Sequence, residues 1–65
     1  MKEQLIERVY EILRKNPHYF DCEIETLCCL NHNCYEIYDL ITTGETMKVA
    51  KWLVEEEIIT ESHFN

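Results

Sequence analysis

Apolar residues in this chain recur at helical spacing almost from end to end, and the pattern breaks at three places: Asn16-Pro17, Asn31-His32-Asn33 and Thr42-Thr43-Gly44. Residues three and four apart share one face of an α-helix, so this spacing predicts helices joined by short turns. Leu5, Ile6, Val9, Ile12 and Leu13 form one stripe over residues 2–15. Arg14 and Lys15 fall in the last turn, where cations complement the helix dipole. Asn16-Pro17 ends this helix, because the residue before a proline is driven out of the helical region.

The later segments follow the same logic. His18-Tyr19-Phe20 reads as a short connector able to pair as a strand. Asp21 is expected to N-cap a second helix reaching about Leu30, with Ile24, Leu27 and Cys28 facing inward. Asn33 and Glu36 have the spacing of a capping box, which opens a third helix to about Thr42. Its inward face is Cys34, Ile37, Tyr38 and Ile41. A fourth helix begins near Glu45 or Thr46 and runs to about Glu56, burying Val49, Ala50 and Leu53. Ile58-Ile59-Thr60 is a β-prone run, and a polar tail follows. The expected fold is mainly α. It is a compact three- to four-helix domain over residues 1–65, with a minimal strand pair between 18–20 and 58–60 left open.

Size sharpens the problem. A chain of 65 residues has room for one domain, and it buries only about 60% of its unfolded surface, so a dimer or a covalent staple would help. The opening MKEQLIERVYEIL alternates charged with apolar residues, unlike a signal peptide, and no apolar run reaches transmembrane length. The expected location is the cytoplasm, where thiols stay reduced.

Charge is divided unevenly. Residues 1–15 carry four basic and three acidic groups, whereas residues 16–65 carry only Lys48 and Lys51 against ten carboxylates, for a chain total of −7. Such a surface repels a phosphate backbone and attracts a basic partner, or mimics nucleic acid to one. The plainer alternative is that the charge keeps a small protein in solution.

The stretch CEIETLCCLNHNCY, residues 22–35, holds all four cysteines. On one helix Cys22 and Cys29 are separated by about 10.5 Å of rise, beyond the roughly 7 Å that a disulfide spans. Cys22 and Cys28 fail likewise. Only a pairing across the turn survives, between Cys28 or Cys29 and Cys34, unless Cys22 lies before the helix begins. A zinc site would draw on Cys29, His32 and Cys34 with a fourth ligand from His18, Cys22 or His63, but the usual C-x2-C pairs are absent. Cys28 and Cys34 lie on core-facing stripes, where a free cysteine acts as a small hydrophobe. Buried free thiols are therefore the favoured reading, and no cofactor is expected.

Catalysis finds little footing. His18, His32 and His63 have no sequence-local partner that would define a nucleophile and base. Gly44 suits a helix stop better than a phosphate loop. Glu55, Glu56 and Glu57 fan round a helix end by about 100° each, as a solvated terminus does. Trp52 lies beside the inward stripe of the fourth helix and reads as core-edge packing or as an interface anchor. Tyr10, Tyr35 and Tyr38 would extend such an anchor into an aromatic surface.

The segment IYDLITTGETMKVAKWLVEEEIIT, residues 37–60, resembles the helix-turn-helix part of winged-helix regulators, and LIERVYEILRKNP resembles their opening helix. The resemblance implies a support helix over Ile37 to Ile41, a turn at Thr42-Thr43-Gly44 and a recognition helix from Thr46 to Glu56. It implies that Ile58-Ile59-Thr60 opens a wing. It also implies nucleic-acid contacts from Thr43, Thr46, Lys48 and Lys51, in a dimer that sets two such helices on two half-sites. The chain departs from that pattern where Glu57 replaces the usual glycine before the wing, and its tail is too short for a full wing hairpin.

Two lysines against ten carboxylates make a poor DNA footprint. The leading expectation is therefore a non-enzymatic regulatory domain that binds another protein, one with a basic surface. It would do so through Trp52, Tyr35, Tyr38, Lys48 and Lys51, as an inhibitor or antirepressor of the phage or virus type. A DNA-binding regulator is the alternative and a zinc-stabilised interaction domain the third. A homodimer remains open, and no membrane partner is expected.

Overall fold

The computed structural model describes residues 2–30 and 33–64. Among these, four α-helices run in succession: α1, Lys2–Lys15; α2, Asp21–Cys29; α3, Cys34–Thr42; and α4, Thr46–Glu55. A short 3-10 helix, Glu61–Phe64, follows. α1 packs chiefly against α4, and α4 in turn against α3 and α2, so α4 is the shared centre of the domain.

The periodic positions form the core. Val9 and Leu13 of α1, Leu27 of α2, Ile37 of α3, and Val49, Ala50 and Leu53 of α4 are all fully buried. Each helix is too short to persist alone in water, so this shared apolar contact is what holds them helical. Asn33 caps α3 as its spacing predicts, its side-chain oxygen accepting from the Tyr35 N–H at 2.8 Å and the Glu36 N–H at 3.4 Å. Asp21 does not cap α2. Phe20 occupies that position, buried and without a side-chain cap, and Asp21 sits one residue inside the first turn. There a carboxylate still complements the helix dipole.

The ends of α3 and α4 repeat one device. The Glu45 N–H reaches back to the Leu40 carbonyl at 2.8 Å, with Gly44 at φ 94°. One helix later, Ile58 donates to Leu53 and Glu57 to Val54, both at 3.0 Å, with Glu57 at φ 59°. The paired back-bonds after α4 are the Schellman arrangement, which satisfies terminal carbonyls by putting one residue in the left-handed region.

No strand is present among the described residues, and the hydrogen bonds explain why 18–20 and 58–60 do not pair. The Tyr19 N–H turns back to Asn16, while Ile58 and Ile59 both spend their N–H groups on the Leu53 carbonyl at 3.0 Å. Few donors are left for a ladder. Ile59 instead plugs the core with its side chain fully buried, and Phe20 is buried in the same core cluster.

The tail is not simply polar. Phe64 returns to meet Phe20 edge-on at 6.3 Å, and the Arg8 guanidinium lies 4.6 Å over the Phe64 ring.

The cysteines overturn the reading of buried free thiols. Cys28 and Cys34 are joined in a disulfide, with Cα atoms 5.4 Å apart, inside the separation such a bridge accepts. The reason lies in the cap at Asn33. It starts α3 at Cys34, a full turn before the first buried residue, Ile37, so Cys34 is exposed and Cys28 only half-buried. The bridge ties the last turn of α2 to the first turn of α3. Cys22 and Cys29 keep free thiols, and both are exposed.

Candidate interaction surface

α4 divides its side chains cleanly. Thr46, Val49, Ala50, Leu53 and Val54 face the core, while Lys48 and Lys51 are exposed. Trp52 is half-buried against the core edge, and the Lys48 ammonium stands 5.7 Å from its ring centre. Their four-residue separation places one above the other on the helix, so Lys48 partly screens the indole face. The structure thus brings Trp52 and Lys48 together, with Lys51 on the same helix.

The two tyrosines of α3 serve differently. Tyr35 lies in the first turn and is 88% exposed, the most exposed large apolar side chain described. Tyr38 is half-buried and turned towards α2, its hydroxyl donating to Asp21 Oδ1 at 2.5 Å. His18 completes this group. Its Nδ1 is 3.2 Å from the same carboxylate oxygen, and its ring centre is 5.4 Å from that of Tyr38.

Electrostatics bind the group together. Burial, the hydrogen bond to Asp21 and the charges of Asp21 and Glu25 push the Tyr38 phenol up to about 12. The Tyr38 hydrogen bond holds the Asp21 carboxyl below its ordinary range, with His18 adding to the effect. Beside these residues runs a shallow groove of about 450 Å³, lined by Asp21, Ile24, Glu25, Cys34 and Tyr38. A second hollow, about 300 Å³, lies between α1 and the 3-10 helix against Leu5, Arg8 and Phe64.

The hydroxyls proposed for phosphate contacts point elsewhere. Thr46 is buried and donates to the Ile41 carbonyl at 3.2 Å, and Thr43 donates to the Asp39 carbonyl at 2.8 Å. A hydroxyl has one proton to give, and in both residues the chain's own backbone takes it.

For zinc, the disulfide occupies the Cys34 sulfur, which a metal would need as a thiolate. His32 lies outside the described residues. Among those described, no three metal-ligating side chains converge. No helix among them is long and apolar enough to cross a membrane.

Sequence reasoning singled out Tyr38 but not its partners. Asp21 and His18 meet it across seventeen residues of sequence or more, and no local spacing signals a contact of that range. Comparison with protein-family models, with characterised proteins and with solved structures finds no match to this chain.

Proposed function

We propose that this chain is a non-enzymatic interaction domain that binds a basic surface of another protein, as an inhibitor or antirepressor of a nucleic-acid-binding protein would. The observation that carries this reading is the charge of its middle. From Asn16 to Met47 there are six carboxylates and no lysine or arginine, and these residues supply α2, α3 and their flanking turns. Such a surface steers a cationic partner in and disfavours phosphate. The exposed Tyr35 and the half-buried Trp52 offer aromatic contact area of the kind that anchors interfaces.

The test is affinity capture on the immobilised chain across a salt series, with the Trp52→Ala variant alongside and circular dichroism to show that it keeps its helices. Retention of a basic protein, released by salt and weakened by Trp52→Ala, is the expected result. Equal retention by the variant overturns the role of Trp52, and retention of acidic proteins overturns the reading as a whole.

A second reading, DNA binding in the manner of winged-helix regulators, is favoured by one feature. α3, the Gly44 turn and α4 follow in direct succession, with Lys48 and Lys51 exposed on α4. A gel-shift titration against duplex DNA decides it. Binding that weakens steeply with salt would establish phosphate contacts, whereas no shift leaves the protein-binding reading in place.

A further inference from the structure

The Glu25 carboxylate has no ion-pair or hydrogen-bond partner among the described residues, and it lies one helical turn beyond Asp21 on the same face of α2. Both carboxylates border the α2–α3 groove, whose other walls are Ile24, Tyr38 and the Cys34 half of the disulfide. The groove is thus apolar at its base, aromatic on one side and doubly acidic at its rim. Cys28–Cys34 ties together the two helices that form it. Among the described residues no lysine or arginine pairs with either carboxylate; the neighbour of Asp21 is the His18 ring, its Nδ1 3.2 Å from Oδ1.

We propose that this groove takes an arginine side chain from a basic segment of a partner protein, its guanidinium bridging Asp21 and Glu25 and lying against the Tyr38 ring. Arginine fits for three reasons. Its planar fork has enough donors to serve two carboxylates at once, whereas the lysine ammonium is a point charge. Its delocalised face stacks on an aromatic ring and sheds water readily. Its methylene stem matches the Ile24 floor. Tyr38 is held ready for this contact, because its hydroxyl is fixed to Asp21 Oδ1 and the ring cannot swing away without breaking that bond. The high Tyr38 pKa, raised first by burial and then by Asp21 and Glu25, accords with these two carboxylates setting a negative potential here.

The inference rests on the protein-binding reading above and locates its cationic contact on α2 and α3 rather than at Trp52. The test is a two-dimensional NMR titration of the isotope-labelled, disulfide-intact chain. The probes are a short acetylated and amidated peptide of alternating arginine and serine, and its lysine and glutamate counterparts. Saturable shifts confined to residues 18–25 and 34–38 are expected for the arginine peptide, with weaker ones for lysine and none for glutamate. Glu25 is exposed, so Glu25→Gln leaves the fold intact. It is expected to weaken the arginine peptide about tenfold, the cost of one charge-assisted hydrogen bond. An unchanged affinity in Glu25→Gln overturns the groove. Saturable shifts confined to the Lys48 and Trp52 side also overturn it while leaving the protein-binding reading standing. The absence of saturable shifts anywhere overturns it too, and the capture experiment then judges the wider reading by itself.

Discussion

The Tyr38 hydroxyl and the Asp21 carboxylate meet at 2.5 Å, joining α3 to α2 across seventeen residues. This contact makes an unusual titration visible. Burial first, then the hydrogen bond and the nearby carboxylates, raise the Tyr38 phenol to about 12 from an ordinary 10.0. A phenol whose pKa is higher in the folded state stabilises that state fully below the unfolded value. The contribution is lost as pH rises through the folded one, so its window is about pH 10 to 12. Phenolate absorbance should show one of the tyrosines ionising last. Asp21→Asn should lower that pKa only part of the way to 10, because burial remains. An unchanged late titration in Asp21→Asn would detach the shift from this contact.

Acid acts through the other partner with the opposite sign. The Asp21 pKa lies below its ordinary 3.8, so its contribution is present above that value and is lost as pH falls through the folded pKa. Urea midpoints followed downward from pH 5 or so should decline more steeply in the parent chain than in Tyr38→Phe. Parallel declines would show that the Tyr38 hydrogen bond does not set the shift.

Gly44 and Glu57 occupy equivalent left-handed positions after α3 and α4, at φ 94° and 59°. Glycine takes that conformation freely, while a residue with a Cβ is strained there by about 1 kcal/mol. Glu57 is also an anion at a helix C-terminus, beside the negative end of the dipole. Glu57→Gly is therefore expected to stabilise the domain by about 1 kcal/mol. Gly44→Ala should destabilise it by a similar amount, although nothing within 4 Å would meet the added Cβ. Chemical denaturation of the two variants checks the pair. Equal and small effects of one sign would show that the left-handed backbone is not what matters.

Much of this architecture was legible because helix periodicity and capping are local signals. Lys2–Lys15 falls on the expected boundaries, and Asn33 caps α3 from its spacing alone. The strand expectation for 58–60 failed for a physical reason. The β-propensity of Ile58 and Ile59 reflects fit to a half-buried surface, and here that surface is the end of a helical core. The cysteine reading failed on register. A face assigned from Ile37 and Ile41 was extended back to Cys34, yet the first turn of α3 projects beyond the core and leaves Cys34 exposed. The Asp21–Tyr38–His18 group was out of reach, since it depends on how α2 and α3 lie together and not on either helix by itself.

The Cys28–Cys34 bridge closes a short loop in a domain with a small core. The chain-entropy estimate for such a loop is about 2 kcal/mol, a large share of what a 65-residue chain can hold. Reduction, or Cys28→Ser with Cys34→Ser, should lower the urea midpoint correspondingly without removing the helices. Intact mass under non-reducing conditions should show the chain lighter by one pair of hydrogens, with Cys22 and Cys29 open to alkylation. Four alkylated thiols in freshly isolated protein would place the reduced form as the resting one. Because disulfides persist in oxidising compartments, the same thiol count bears on where the protein works.

Ile59 offers the most direct test that the segment after α4 belongs to the core. Its side chain is fully buried and its N–H is held by the Leu53 carbonyl, while its neighbour Ile58 makes the same backbone bond with its side chain only partly covered. The two residues thus share sequence environment, propensity and hydrogen bonding, and differ in burial. Truncating a buried isoleucine to alanine removes its transfer energy and leaves a cavity, at a cost of about 2–5 kcal/mol. A half-exposed one loses less of both. Ile59→Ala should therefore bring the domain close to unfolding, and Ile58→Ala should leave it folded with a modestly lower urea midpoint. If the two variants lose equal stability, the return of the chain after Glu57 is not anchored by Ile59, and the packing of Phe64 against Phe20 and Arg8 would have to be held by the aromatic contacts alone.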